Sequence, residues 1–187
     1  LGYHLTPGAR ILESGLMALG CPVIPGGVGN SEQQALAIAA LKPVGYAGTP
    51  SFLRILLEKA TELHLNISSI KKGWVSGEYL PPSLRADFDT KGISVLQGYA
   101  SADLGLIAYE TPAREGLIVN ETLLVEIVRP GTIDPVPEGE VGEVVVTNLC
   151  PTYPLIRFAT GDLSAVAVGS SQCGRTNMRI KGWMGRA

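Results

Sequence analysis

The sequence predicts an α/β fold: a parallel βαβ layer followed by an antiparallel β-barrel-like subdomain. Three observations predict it. Up to about Thr111, helix-patterned segments alternate with short apolar strands. Beyond that point only strand patterns follow, separated by Pro/Gly-rich turns such as Pro130-Gly131 and Glu138-Gly-Glu-Val-Gly142. The chain of 187 residues is 45% hydrophobic and only 17% charged, which supplies a substantial core and argues against disorder.

The elements follow in order. Gly8 to Leu19 has a helical pattern, and Cys21-Pro-Val-Ile-Pro25 reads as a short strand. Asn30-Ser31 caps a helix with apolar residues at Ala35, Leu36, Ile38 and Ala39, and Ser31 with Gln34 spells a capping box. Pro43 closes that helix, and Val44 to Gly48 is the next strand. Pro50 occupies a favoured first helical position, ahead of Phe52, Leu53, Leu56 and Leu57 on one face. Strand Gly73 to Ser76, helix Pro82 to Thr90 and strand Ile93 to Gln97 complete the series. Helices between short apolar strands imply a parallel sheet covered on both faces. Leu117 to Val119, Leu123 to Val128, Glu143 to Thr147 and Leu155 to Phe158 are the later strands. The expected domains are therefore 1–111 and 112–187.

Composition narrows the function. A net charge of −2 without any basic run offers nothing to nucleic acid or an anionic membrane. Cys21, Cys150 and Cys173 are odd in number and far apart, as in a reduced, cytoplasmic protein. No apolar run has the length of a bilayer span. His4 and His64 have no acid or cysteine at triad spacing, and Cys173 lacks companions for a zinc site. Gly26-Gly-Val-Gly29 lacks the Gly-Lys-Ser/Thr ending of a phosphate loop. The chain begins without Met and stops at Arg186-Ala187 without a closing turn, so it reads as part of a longer protein.

Two segments carry candidate chemistry. In Pro154-Leu-Ile-Arg-Phe-Ala-Thr-Gly-Asp-Leu163 an apolar strand runs into a turn at Thr160-Gly161, with Asp162 directly after the glycine. A carboxylate there suits two neighbouring hydroxyls, as on a ribose; the alternative is a plain hairpin corner. Gln97-Gly-Tyr-Ala-Ser-Ala-Asp-Leu-Gly105 follows a strand of the parallel sheet, where ligands of open α/β sheets sit. Gly98 lets a planar base approach the backbone, Tyr99 can stack on it, and Asp103 can face a metal–phosphate complex. The competing reading makes Tyr99 core packing and Asp103 a cap.

Both segments resemble motifs of the adenylate-forming superfamily of acyl-CoA ligases, adenylation domains and luciferases. The resemblance implies that Asp162 holds the ATP ribose and that Tyr99 stacks on adenine. It also implies that Asp103 stands where the Mg²⁺-binding acid lies. Ala100, Ala102 and Asp103 depart from the usual Gly, Thr/Ser and Glu. Val75-Ser-Gly-Glu-Tyr-Leu-Pro-Pro82 resembles the segment lining the adenine pocket, which implies nucleotide contacts for Gly77 and Glu78 beside Gln97 and Gly98. Tyr79 stands where proline or alanine is usual.

End to end, the chain is similar to the phenylacetate–CoA ligase branch. Gly2-Tyr-His-Leu5, Leu19-Gly-Cys-Pro-Val-Ile-Pro25, Gly48-Thr-Pro-Ser-Phe52, Gly139-Glu-Val-Gly-Glu143 and Cys173-Gly-Arg-Thr176 carry that likeness. The family's aromatic residue after Gly-Tyr-x-Leu has no counterpart at Thr6-Pro7. Gly185-Arg186 resembles the start of the family hinge, which implies that Arg186 serves the hinge and the ribose edge. In such relatives a phosphate loop precedes the region covered here, and the catalytic lysine follows the hinge.

The resemblance implies a cytoplasmic ligase that takes ATP, Mg²⁺, coenzyme A and a small carboxylic acid, resembling an aryl-acetate. It sets no oligomeric state. Two alternatives remain from the sequence: a non-catalytic nucleotide-binding relative, or a ligase with an acceptor other than coenzyme A.

Overall fold

A computed structural model of the chain describes residues 2–187; Leu1 lies outside the described residues. The structure divides into two compact units, Leu1–Gln97 and Gly98–Ala187. The sequence pattern places the change of character near Thr111. The structural change comes earlier because Gly105–Glu110, to which the pattern assigns no strand, already folds back antiparallel on Gly98–Ser101.

The first unit contains α1 (Gly8–Ala18), α2 (Ser31–Leu41), β1 (Gly45–Gly48), α3 (Pro50–Glu62), β2 (Lys72–Val75) and α4 (Pro82–Thr90). It also contains the first half of β3 (Ser94–Ser101). β1, β2 and the start of β3 pair in parallel, with Val75 opposite Gln97. Thr49 caps α3 by accepting the Phe52 N–H, and Pro50 fills the first turn, where its missing N–H costs nothing. Leu53, Ile70, Val75, Phe88 and Val95 form the buried core between helices and strands. A smaller cluster of Ala35, Ala60 and Ile67 lies where α2 meets α3.

Two local expectations are corrected here. Cys21–Pro25 forms no strand. Pro22 and Pro25 remove two backbone donors from a five-residue run, so a ladder has little to build on. Ser31 and Gln34 form no capping box. Asn30 takes the N-cap position in a left-handed conformation, and the Gln34 amide donates backwards to the carbonyls of Gly26 and Gly29 at 3.1 and 2.7 Å. Those two bonds fold the glycine-rich connection onto the helix.

The second unit is antiparallel. The end of β3 pairs with β4 (Gly105–Glu110), β4 with β5 (Leu117–Val119), and β5 with the short β9 (Arg179–Ile180). β6 (Leu123–Val128), β7 (Val141–Asn148) and β8 (Leu155–Ala165) form a separate three-stranded sheet. A bridge from Val166 to Ile180 ties the continuation of β8 to β9 and so links the two antiparallel arrangements. Ile107, Ala108, Leu117, Val144, Val146 and Ile180 are buried between them. Arg179 is buried with them, and its guanidinium donates to the Glu115 carbonyl at 2.6 Å and the Gly169 carbonyl at 2.8 Å. A buried charge so fully hydrogen-bonded pins the loop before Cys173.

Candidate active site

The Thr160-Gly161-Asp162 run lies inside β8 and is not a turn at its end. Glu143 faces Leu163 and Val145 faces Ala159, so Val144 alone opposes three residues. The surplus is absorbed as a β-bulge, with Gly161 at φ +70°. Three bonds lock it. Gly161 N–H donates to Glu143 Oε1 at 3.2 Å, Thr160 Oγ1 donates to the Val144 carbonyl at 2.8 Å, and Asp162 N–H donates to Thr160 Oγ1 at 3.2 Å. Bulges re-aim a side chain while the ladder continues on either side. A hairpin corner is therefore excluded.

Beyond the bulge, the last residues run antiparallel along β8. Met184 N–H donates to the Leu163 carbonyl, Leu163 N–H to the Gly185 carbonyl and Ala187 N–H to the Gly161 carbonyl, each at 2.9 Å. Asp162 and Arg186 thus stand opposite each other as a bridge pair.

Three donors converge on the Asp162 carboxylate. The Tyr99 hydroxyl donates to Oδ2 at 2.8 Å. Trp183 Nε1 donates to Oδ1 at 3.0 Å, and Arg186 Nη1 donates to the same oxygen at 2.6 Å. Asp162 is mostly covered, with 16% of its side chain exposed, whereas Arg186 is 69% exposed. Burial pushes the Tyr99 hydroxyl above the usual tyrosine value, and the neighbouring Asp162 carboxylate adds to the shift. The phenol therefore stays protonated and donates throughout the physiological range.

The other sequence-derived candidates fall elsewhere. Gly98 precedes Tyr99 in β3, opposite Tyr109. Asp103 stands exposed in the turn joining β3 to β4. Gly77, Glu78 and Gln97 belong to the first unit. There Gly77 turns the chain out of β2 at φ +81°, and Glu78 Oε2 accepts the Ser51 N–H at 3.4 Å, at the positive end of α3. The structure therefore brings Tyr99, Asp162 and Arg186 into one hydrogen-bonded group. Sequence reasoning missed Trp183 and the locking roles of Thr160 and Glu143. Trp183 is 21 residues from Asp162, and only the pairing of the last residues with β8 joins them.

A covered carboxylate with its rotation fixed is a receptor for paired hydroxyls, and a nucleotide ribose fits that chemistry. No group of three or more His, Cys, Asp or Glu residues clusters among the described residues. Mg²⁺ fits such a surface only as an ion held mainly by phosphate oxygens and water, with a single carboxylate such as Asp103 beside it.

Residues 8–151 match the AMP-binding enzyme family, and the chain belongs to that family. It is 31% identical to a phenylacetate-coenzyme A ligase of Thermus thermophilus over 99% of its own length and 43% of the relative's. It is 30% identical to the phenylacetate-coenzyme A ligase of Escherichia coli K12, over 97% of its length and 44% of that protein's. The chain thus spans less than half the length of these relatives. Among solved structures, an open conformation of 2-hydroxyisobutyryl-CoA ligase in complex with 2-HIB-AMP and CoA superposes with a TM-score of 0.91. It is 27% identical, over 99% of this chain and 43% of that one. The anthranilate CoA ligase AuaEII, at 18% identity and a TM-score of 0.67, shares the fold.

Proposed function

We propose that this chain is the nucleotide-holding portion of an ATP-dependent acyl-CoA ligase. The whole protein adenylates a small carboxylic acid, resembling an aryl-acetate, and passes the acyl group to coenzyme A. The observation that carries this reading is the Asp162 carboxylate, held by Tyr99, Trp183 and Arg186. Membership of the AMP-binding family and similarity to coenzyme A ligases along nearly the whole chain support it.

In the first half-reaction a carboxylate oxygen of the acid attacks the α-phosphorus of ATP. A new oxygen–phosphorus bond forms and pyrophosphate departs with the bond electrons. In the second, the thiol sulfur of coenzyme A attacks the acyl carbon, AMP leaves, and the thiol proton passes to solvent or a base. Asp162 takes the ribose hydroxyls, Tyr99 presents its ring to adenine, and Gly77, Glu78, Gln97 and Gly98 line the base. Asp103 would help to hold a Mg²⁺ ion, which when bound would neutralise charge on the phosphates. Arg186 serves the ribose edge at the start of a hinge. The parallel and antiparallel parts are two subdomains of one larger adenylating domain. Its setting is the cytoplasm; no helix of the described residues is long and apolar enough to cross a membrane.

Carboxylate-dependent exchange of labelled pyrophosphate into ATP, run on the complete protein with a panel of acids, tests the reading. Exchange with an aryl-acetate or a similar small acid supports it. Tight AMP binding without exchange for any acid would replace it with a non-catalytic nucleotide-binding relative. Exchange without thioester formation would point to another acceptor.

A further inference from the structure

Trp183 is exposed over 43% of its surface, yet its indole nitrogen is committed to Asp162. The backbone around it is anchored on both sides. The buried Ser164 hydroxyl donates to the Gly182 carbonyl at 2.7 Å, and Met184 N–H donates to the Leu163 carbonyl at 2.9 Å. Tyr99 is fixed within β3. The two aromatic donors grip opposite oxygens of the carboxylate, Tyr99 on Oδ2 and Trp183 on Oδ1, and so set its plane.

An ionised carboxylate has about four acceptor positions. Tyr99, Trp183 and Arg186 fill three of them. A vicinal diol needs two, so one donor must yield when a ribose binds. Arg186 has a long, exposed side chain, whereas the residues on either side of Trp183 are tied to β8 and Tyr99 lies within β3. We propose that Trp183 is a positioning residue that holds the Asp162 carboxylate in the plane a ribose diol requires, Arg186 being the donor that gives way. Trp183 thereby sets the preference for a ribonucleotide over its 2′-deoxy counterpart. The inference rests on the ribose-binding reading of Asp162.

The test is calorimetric titration of the complete protein with AMP and with 2′-deoxy-AMP. Trp183→Phe keeps an aromatic ring, smaller than the indole, and removes the N–H donor. It should weaken AMP binding more than 2′-deoxy-AMP binding, lowering the affinity ratio by about threefold or more, because a carboxylate freed from one of its two aromatic donors loses part of its bond to the 2′-hydroxyl. A merely structural role would weaken both nucleotides equally, and an unchanged ratio overturns the proposal. Asp162→Ala separates this failure from that of the parent reading. If Asp162→Ala abolishes the ribose preference and Trp183→Phe leaves it intact, only the role of Trp183 is lost. If Asp162→Ala also leaves the ratio intact, the ribose reading falls, and the proposal with it. Should Trp183→Phe fail to fold, Trp183→Leu, which also lacks the N–H donor, is titrated in its place and should lower the ratio of AMP to 2′-deoxy-AMP affinity in the same way. An unchanged ratio overturns the inference.

Discussion

The two units present their polar groups by different routes. In the first, Gly77 and Glu78 follow one residue after the end of a regular parallel strand, and Glu78 is held by the start of a nearby helix. In the second, Asp162 is pushed out of the middle of an antiparallel strand and gripped by residues 21, 24 and 63 positions away. A strand end needs only a turn after it. A mid-strand carboxylate needs a bulge, a bulge lock and donors from other strands. The second arrangement fixes orientation far more tightly, and it exposes the site to damage from substitutions that never touch a ligand.

The largest expected effect breaks the second arrangement at its centre. In the complete protein Asp162→Ala should weaken AMP binding by roughly a hundredfold or more, since two charge-assisted bonds of about 1.5–3 kcal/mol each are removed. Asp162→Asn should lose less, because the amide still accepts through one oxygen. Calorimetry with AMP checks both; unchanged affinity in the alanine variant would reduce Asp162 to a bulge residue.

The next concerns Asp103, which has none of the enclosure given to Asp162. At saturating Mg²⁺, Asp103→Ala should lower pyrophosphate exchange by about tenfold or more, and Asp103→Glu much less, because only alanine removes the oxygen ligand. Wild-type exchange in the alanine variant would leave the metal to the phosphates or another acid.

Gly161→Ala sharpens the comparison at the bulge. The residue sits at φ +70°, and an added Cβ would lie 3.1 Å from the Arg186 guanidinium. A left-handed conformation costs a non-glycine residue roughly 1–2 kcal/mol, so urea denaturation should show a loss of about that size. Arg186 must also shift, and AMP affinity should change with it. A variant with unchanged stability would mean that the bulge relaxes freely.

The smallest effect belongs to the first unit. Thr49→Ala removes the cap of α3 and should cost about 1 kcal/mol of stability, with AMP affinity unchanged. A large loss of nucleotide binding in this variant would show that the local design of the first unit controls the site of the second.

What was legible in the sequence follows the range of the interactions. Pro50 and the apolar face behind it mark α3 through contacts within a turn or two, and alternation of short apolar runs with helices marks the parallel layer. The later strands Leu117–Val119 and Leu123–Val128 appear at their predicted positions because β-branched runs between turn residues carry a local signal. β4 and β9 carried little such signal. Gly105–Glu110 is paired on both edges by β3 and β5, while β9 is two residues long and exists through its contact with β5. The capping box failed for a related reason, since the Gln34 amide found two carbonyls in the preceding glycine-rich connection.

By itself the sequence determined the α/β class and the order of most elements, and it offered Tyr99, Asp103, Asp162 and Arg186, with Gly77, Glu78, Gln97 and Gly98, as candidates for a nucleotide site. Only the tertiary structure decided that Asp162 leaves its strand through a bulge and that Trp183 shares its carboxylate with Arg186. It also decided that the fold changes character at Gly98 and not near Thr111. Periodicity and capping are properties of neighbouring residues and can be read along the chain. A bulge is a mismatch in count between two strands, and a shared carboxylate is a meeting of distant segments. Neither exists until the strands have paired.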